Sequence, residues 1–206
     1  MLLVASALAG MAVPAVAQDK FDIGYDIYFS GNSWSVQLAK EFEAEAEKHK
    51  DKVDVAYTES ELKADKQVSN IEDMITKGVD AIILTPISPT AVIPVLKKAE
   101  AKGIKIVLLA SSIKSDDYDA LVTVDDVDFG KAGAEWLAEK LDGKGKIIAL
   151  NGISGISASD DRWTGAKEVF DAHPDIEVIS VVDAGWDYAK AKVAVSNLLA
   201  ANPEID

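Results

Sequence analysis

Two kinds of apolar pattern alternate along the chain from Phe21 onwards. Short apolar or alternating runs predict β-strands, and longer segments with apolar residues three or four positions apart predict amphipathic helices. The predicted strands cover residues 21–28, 53–58, 81–84, 104–109, 120–124, 146–150 and 176–182. The predicted helices cover residues 34–48, 64–77, 90–102, 129–141, 158–172 and 188–201. Such alternation with short loops predicts right-handed βαβ units, parallel sheets and helices on the sheet faces.

The strand–helix order starts again after Val124, which divides the predicted chain in two. We expect an α/β fold with two Rossmann-like lobes, an N-terminal lobe at 20–124 and a C-terminal lobe at 128–206, joined by a crossover hinge at 124–128. The last five residues, NPEID, resemble the approach to a further strand. The second lobe is therefore expected to be incomplete and the sequence to be C-terminally truncated.

The first seventeen residues, MLLVASALAGMAVPAVA, are uncharged and rich in Ala, Leu and Val. They are too short for a comfortable membrane span, and Ala15-Val16-Ala17 matches the small-residue pattern of a signal cleavage site. We expect a secretory signal peptide at 1–17 and a periplasmic location. The alternative interpretation is a buried N-terminal helix.

Charge and residue types exclude several partners and chemistries. A net charge of −14 over 206 residues disfavours nucleic acid and anionic membrane surfaces as partners. The sequence contains no cysteine, which excludes disulfides, thiolate catalysis and cysteine metal ligands. The two histidines, His49 and His173, fall at predicted helix ends, and neither a nucleophile elbow nor a P-loop occurs. We therefore expect no enzyme activity, no cofactor and no bound metal.

The segment from Lys146 to Ala166 contains the clearest candidate site. It comprises an apolar strand, a Gly- and Ser-rich turn (GISG) and the start of a helix, in which Arg162 lies about one turn from the N-terminus. The turn follows the carboxyl end of the strand, which is where ligands bind in open parallel sheets. The Arg162 guanidinium offers five hydrogen-bond donors in a planar fork. The pattern indicates a site for a polar small molecule. An ordinary turn with a solvated Arg162 is the alternative, and dinucleotide binding fits poorly because the G-x-G-x-x-G spacing is absent.

Taken together, residues 20–206 resemble the type I periplasmic sugar-binding proteins of ABC importers, the ribose-binding-like group. The matching segments are Gly31-Asn32-Ser33-Trp34, Leu84-Thr85-Pro86 through Ala91-Val92, Val124-Asp125-Asp126 with Gly130, and Gly152-Ile153-Ser154-Gly155 with Arg162. The family has two Rossmann-like lobes joined by a hinge, and the resemblance implies a sugar held in the cleft between them.

The resemblance also implies which residues contact the sugar. The implied ligand-binding residues are Asn32, Trp34, Ser35, Ser111, Arg162, Trp186 and Asp183, and the implied hinge residues are Asp125 and Asp126. Trp34 and Trp186 would offer apolar ring faces, Asn32 both donors and acceptors, and Arg162 a bidentate pair of donors. The alternatives are a core aromatic for Trp34 and an exposed loop residue for Trp186. Ala110-Ser111 stands where ribose binders carry Asp-Arg, which argues against ribose itself.

The function expected from this resemblance is binding of a monosaccharide or polyol and its delivery to an ABC permease in the inner membrane. A sensor-type binding protein for chemotaxis or signalling, with a chemoreceptor as partner, is the first alternative. A LacI-type repressor would need a basic helix-turn-helix segment, which the sequence lacks. An enzyme on a doubly wound fold is the remaining alternative.

Overall fold

The computed structural model describes residues 20–206, so the predicted signal peptide at 1–17 lies outside the described residues. The strands are β1 (Phe21–Ile27), β2 (Val53–Glu59), β3 (Ala81–Leu84), β4 (Lys105–Leu109), β5 (Ala120–Val122), β6 (Gly145–Asn151) and β7 (Ile176–Asp183). The helices are α1 (Ser33–Lys48), α2 (Ala64–Lys77), α3 (Ile93–Glu100), α4 (Asp126–Lys140), α5 (Ser157–Asp171) and α6 (Tyr188–Ala201).

The first lobe is built on a parallel sheet with the strand order β2-β1-β3-β4-β5. β1 pairs with β2 on one side and with β3 on the other, so the chain reverses its direction of travel across the sheet at β1. The carboxyl ends of β1 and β3 are therefore neighbours at a topological switch point, where ligands bind in open α/β sheets.

The core of the first lobe lies between the central strands and helices α2 and α3. β3 and β4 bury the side chains of one face, and Ile83 and Val107 on the opposite face are partly buried. The most deeply buried large residues of this cluster are Ile71 and Met74 on α2, Ile82 and Leu84 on β3, Leu96 on α3, and Ile106 and Leu108 on β4. Burial of this surface holds the strand ends in fixed relative positions.

The second lobe contains the parallel pair β6 and β7, with α4 and α5 packed together beside it. Two glycines allow these helices to meet backbone to backbone. A Cβ at Gly130 would overlap the carbonyl group of Arg162, and a Cβ at Gly165 would overlap that of Val127. The first turn of α4 is therefore held directly against the N-terminal half of α5.

Two helices begin three residues away from their predicted starts. α3, predicted at 90–102, starts at Ile93, because Ser88 Oγ accepts the N–H groups of Thr90 and Ala91 in a preceding turn and a proline occupies the first turn of the helix. α4, predicted at 129–141, starts at Asp126, because the Asp125 side chain caps the helix by accepting the N–H of residue 128 at 3.0 Å.

Candidate functional site

A cavity of about 260 Å³ lies between the two lobes. This is just below the roughly 300–1,000 Å³ of sites for drug-sized molecules, a size that suits one compact ligand. The lining residues are Tyr28, Asn32, Ser33, Trp34, Thr85, Ala110 and Ser111 from the first lobe, and Ile156, Ala158, Arg162 and Trp186 from the second. The lobes also meet directly, since the backbone N–H of Ser112 donates to Ser157 Oγ at 2.9 Å.

The first-lobe wall is organised by the N-terminus of α1. Asn32 is the N-cap, and its Oδ1 accepts both the N–H and the hydroxyl of Ser35 at 2.9 Å each. Because both lone pairs of that oxygen are occupied, Asn32 faces the cleft as a donor rather than an acceptor. The ring of Trp34 is 52% exposed and lies edge-to-face with Tyr28 at 6.5 Å between centroids.

Tyr28 is a buried phenol at the end of β1. Burial raises its pKa, and hydrogen bonds with the Asn32 and Ser35 side chains only partly oppose that effect. The phenol is therefore protonated at neutral pH and adds a hydroxyl group to the cleft.

Behind this wall the carboxylate of Asp26 is completely buried, at 0% exposure. It accepts hydrogen bonds from four uncharged side chains: Thr58 at 2.8 Å, Ser60 at 2.7 and 2.9 Å, Gln67 at 2.8 Å and Asn70 at 2.7 Å. These donors come from β2, the loop after it and α2, and they replace the water that the carboxylate loses on burial.

Gln67 connects the Asp26 network to the cleft. Its Nε2 also donates to the carbonyl of Thr85 at 3.0 Å, and its Oε1 accepts the N–H of Ile87 at 3.0 Å. Thr85 lines the cavity. The loop after β3 is therefore positioned by a buried side chain that Asp26 itself holds in place.

The end of β4 brings a small polar residue to the cavity. Ala110 has a positive φ of 59°, and its N–H donates to the carbonyl of Val122 at 2.8 Å. This left-handed turn places the buried Ser111 in the cavity wall.

In the second lobe, the hydrogen bonding of the β6–β7 pair continues past both strands. The N–H groups of Ala184 and Gly185 donate to the carbonyls of Asn151 and Gly152 at 2.9 Å each. Trp186 then has a φ of 52°, and its indole lies so close to Gly152 that a Cβ there would overlap the ring. Glycine at position 152 is what allows this tryptophan to form the far wall of the cavity.

Among the described lining residues, Arg162 alone carries a charge. Its Nε donates to Asp126 Oδ1 at 2.8 Å, and its Cζ lies 4.6 Å from the ring centroid of Phe129. The Asp126 side chain is 8% exposed and that of Arg162 is 37% exposed. The carboxylate is thus buried behind the arginine, whose outer end reaches the cleft.

A family model described as "Periplasmic binding protein domain" matches residues 23–206. The chain belongs to the periplasmic binding protein family. Ribose import binding protein RbsB of Bacillus subtilis is 31% identical over 186 residues, which are 90% of this chain and 60% of that protein.

Two solved structures extend the comparison. The fructose binding periplasmic domain of a hybrid two component system matches with a TM-score of 0.83 and 29% identity, over 90% of this chain and 61% of that one. An ABC transporter periplasmic solute binding protein from Actinobacillus succinogenes 130z, with bound D-allose, matches with a TM-score of 0.80 and 30% identity, over 90% of this chain and 66% of that one. The chain thus spans less than two thirds of the length of each of these proteins.

These matches confirm the fold class and the family resemblance inferred from the sequence: an α/β protein of the type I periplasmic binding protein fold, with parallel sheets in two Rossmann-like lobes. The relatives are named as binding proteins, in agreement with the expectation that this family member is not an enzyme.

Five of the predicted ligand-binding residues line the cavity of this periplasmic binding protein: Asn32, Trp34, Ser111, Arg162 and Trp186. Their contact with a sugar stays a prediction. Ser35 does not line the cavity, because its buried hydroxyl donates to Asn32, the residue that caps α1. Asp183 does not line it either, because it is the exposed last residue of β7, three positions before Trp186.

The two predicted hinge residues lie where the chain passes from β5 into α4. Asp125 is the N-cap of α4, and Asp126 lies inside that helix, paired with Arg162. Asp125 thus remains in the segment between the lobes, whereas Asp126 belongs to α4, and their role as hinge residues stays a prediction.

Several cavity residues were not predicted, among them Tyr28, Thr85 and Ile156. The available signal was their position, since Tyr28 is the last residue of one predicted strand, Thr85 directly follows another, and Ile156 directly precedes α5. Their residue types alone gave no indication of a binding site.

Within residues 20–206, no cluster of three or more His, Asp or Glu side chains is placed to hold a metal ion. In the same residues, no helix is long and apolar enough to cross a membrane. The groups that the cleft does offer are ring faces, hydroxyls, an amide and one guanidinium, which together suit a polar, hydroxyl-rich molecule.

Proposed function

We propose that this protein binds a monosaccharide or polyol between its lobes and delivers it to an ABC-type permease in the inner membrane. The observation that carries this proposal is the composition of the cleft. Trp34 and Trp186 come from different lobes, and the donors of Asn32, Ser111 and Arg162 line the same cavity. Sugars combine apolar C–H faces with hydroxyl edges, and this set matches both features.

Contributions from both lobes also supply a reason for closure. A ligand shifts a conformational equilibrium only when it contacts one state better than the other. A molecule that touches the aromatic wall of one lobe and the arginine of the other makes its full set of contacts only when the lobes are together. Hinge closure around the ligand follows.

Titration calorimetry of the purified protein with D-ribose, D-allose, D-fructose, D-xylose, D-galactose and xylitol tests the proposal. We expect at least one to bind, and Trp34→Ala to weaken that binding by about 10- to 100-fold through loss of the aromatic face. Trp136→Ala is the matched control, because Trp136 is 60% exposed on α4 and does not line the cavity. No binding across the panel, or equal losses in both variants, would contradict the proposal.

We further propose export to the periplasm, with the mature chain beginning at Gln18. Amino-terminal sequencing of the soluble periplasmic form measures this, and retention of residues 1–17 there would contradict it.

A sensory role is the second candidate, favoured by the match to the sugar-binding domain of a hybrid two component system. Uptake of the labelled sugar in a deletion strain distinguishes the two. Loss of uptake supports the importer, whereas normal uptake with loss of a chemotactic or transcriptional response to that sugar supports the sensor.

A further inference from the structure

Two side chains from the first turn of α4 contact Arg162 without lining the cavity. Asp126 accepts the N–H of Nε at 2.8 Å, and the Phe129 ring lies 4.6 Å from Cζ. One contact uses the Nε edge of the guanidinium, and in the other the central Cζ lies over the aromatic ring. The four N–H bonds of the two Nη atoms are not part of the contact with Asp126 and remain available to a ligand.

This arrangement is held by backbone packing rather than by flexible side chains. The carbonyl of Arg162 lies against Gly130, one residue after Phe129, closer than any side chain would permit. The positions of α4 and α5 therefore determine where the carboxylate and the guanidinium meet. An arginine held in advance loses less rotamer freedom when it binds a ligand.

The pairing also determines the charge of the cleft. Arg162 is the one charged side chain among the lining residues, and Asp126 places a buried negative charge directly against it. A ligand therefore meets directed hydrogen-bond donors with little net positive charge behind them. An anionic ligand would gain contacts to Nη but would lie near the Asp126 carboxylate as well.

We propose that Asp126 and Phe129 form an arginine clamp that orients Arg162 before ligand arrives and neutralises its charge, so that the cleft selects uncharged sugars or polyols over sugar acids and sugar phosphates. Asp126 is then a positioning and specificity-determining residue that acts through Arg162. The selectivity part of this inference rests on the proposed function, whereas the orientation part concerns the free protein.

The orientation part has a direct spectroscopic test, because Arg162 is the only arginine among the 206 residues. The arginine Nε–H region of a ¹H–¹⁵N spectrum should contain one resonance, which needs no further assignment. In the ligand-free protein we expect slow exchange of this proton with water. Asp126→Ala should accelerate that exchange at least about tenfold, since the acceptor is gone. Asp128→Asn is the matched control: an exposed carboxylate in the same helical turn.

The selectivity part is tested by competition between D-galactose and D-galacturonate, and between D-glucose and D-glucuronate. We expect the wild-type protein to favour the uncharged member of each pair. Asp126→Asn keeps an oxygen acceptor for Nε but removes the negative charge, so it should shift the preference towards the uronate by about tenfold. Asp128→Asn should leave the preference unchanged.

Different results would contradict the orientation of Arg162, the selectivity for uncharged ligands and the proposed function. Unchanged Nε–H exchange in Asp126→Ala would overturn the clamp, whatever sugar binds. Tighter binding of a uronate to the wild-type protein, or a preference that Asp126→Asn does not move, would overturn the neutralising role. Absence of binding by every sugar of the larger panel would count against the proposed function while the exchange measurement still decides the clamp.

Discussion

The two lobes each bury an aspartate behind the cleft, but they pair it differently. Asp26 in the first lobe is completely buried and receives only uncharged donors in the described network, from side chains on β2, the following loop and α2. Asp126 in the second lobe lies at the start of α4 and receives the guanidinium of Arg162. The first carboxylate ties parts of the scaffold together, and the second holds a group that faces the ligand.

Because of this difference, we expect substitution of Asp26 to affect mainly protein stability and substitution of Asp126 to affect mainly ligand binding. Removing the charge of Asp26 disturbs four donors, two of them buried (Ser60 and Gln67) and two half-buried (Thr58 and Asn70), so the cost falls on folding. Removing the charge of Asp126 leaves a partner that is 37% exposed and partly hydrated, so the cost falls mainly on how Arg162 meets a ligand.

The largest effect is expected for Asp26→Asn. An amide of the same shape turns an NH₂ group towards donors, leaving at least one hydrogen bond unmade and others weakened. We expect the free energy of unfolding to fall by about 3–5 kcal/mol, because several buried donors are affected together. Urea denaturation measures this as a lower midpoint. Asp54→Asn, an exposed position on β2 that pairs with Lys20, should cost less than about 1 kcal/mol. Equal midpoints for the two variants would refute the role given to the network.

Arg162→Ala should have the next largest effect, and it should be larger on binding than on stability. Loss of the charged donors should weaken sugar binding by about 30- to 1,000-fold, or roughly 2–4 kcal/mol. The unfolding free energy should fall by about 1–3 kcal/mol, because the Asp126 carboxylate, 8% exposed, loses its charged donor.

Lys131→Ala is the control for this variant, because it removes a surface ion pair of 2.7 Å between the same two helices. It should leave calorimetric affinity unchanged. Wild-type affinity in Arg162→Ala would identify Arg162 as an ordinary surface residue.

A pair of glycine substitutions on α4 tests the close approach of the two helices. Gly130→Ala places a methyl group into the backbone of α5 and should cost about 1–3 kcal/mol, with a loss of affinity because Arg162 shifts. Gly133→Ala places the same group in open space and should stabilise the protein by about 0.5–1 kcal/mol through helix propensity. Thermal unfolding of both variants makes the comparison, and equal shifts would show that α4 and α5 do not need this contact.

The smallest effect concerns Asp161, whose pKa is raised by burial and by the neighbouring carboxylates Asp126, Asp160 and Asp125. A carboxyl with a raised folded-state pKa stabilises the fold below its unfolded pKa, and this contribution is lost as the pH rises through the folded-state pKa. Asp161→Asn should therefore raise the free energy of unfolding above that of the wild type by about 0.5 kcal/mol at pH 7. At pH 3 we expect no such gain.

Urea denaturation at the two pH values measures this difference. Asp175→Asn, which removes a surface carboxylate of the same lobe, is the control and should show no such gain. A gain of the same size at both pH values would show that the charge of Asp161 is not the cause.

Elements with strong local signals were predicted with their observed bounds. α2 and α6 match at both ends, as does β3, a short apolar run that must lie in a sheet interior. Gly78 ends α2 in the left-handed conformation, as its position after the last periodic residue predicted. The starts of α3 and α4 were wrong because a proline in one case and a capping carboxylate in the other determined them, and neither adds to hydrophobic periodicity.

For the site, the sequence identified residues by type and by family resemblance but could not assign their contacts. Asn32 and Ser35 were both predicted as ligand contacts. The structure shows that Asn32 caps α1 by accepting hydrogen bonds from Ser35 in the first turn of that helix. Asp126 was predicted as a hinge residue, and its partner proved to be an arginine 36 positions later. Such pairings depend on how two helices pack, which one-dimensional patterns do not contain.

The sequence by itself determined the alternation of strands and helices, the division into two similar lobes and the edge at which polar residues collect, because these follow from local periodicity and turn chemistry. The tertiary structure decided which carboxylate is buried among hydrogen-bond donors and which is paired with the guanidinium. The physical reason is that a carboxylate in a sequence has the same charge everywhere, while the neighbours that stabilise it come from segments tens of residues away and meet it only when each lobe folds.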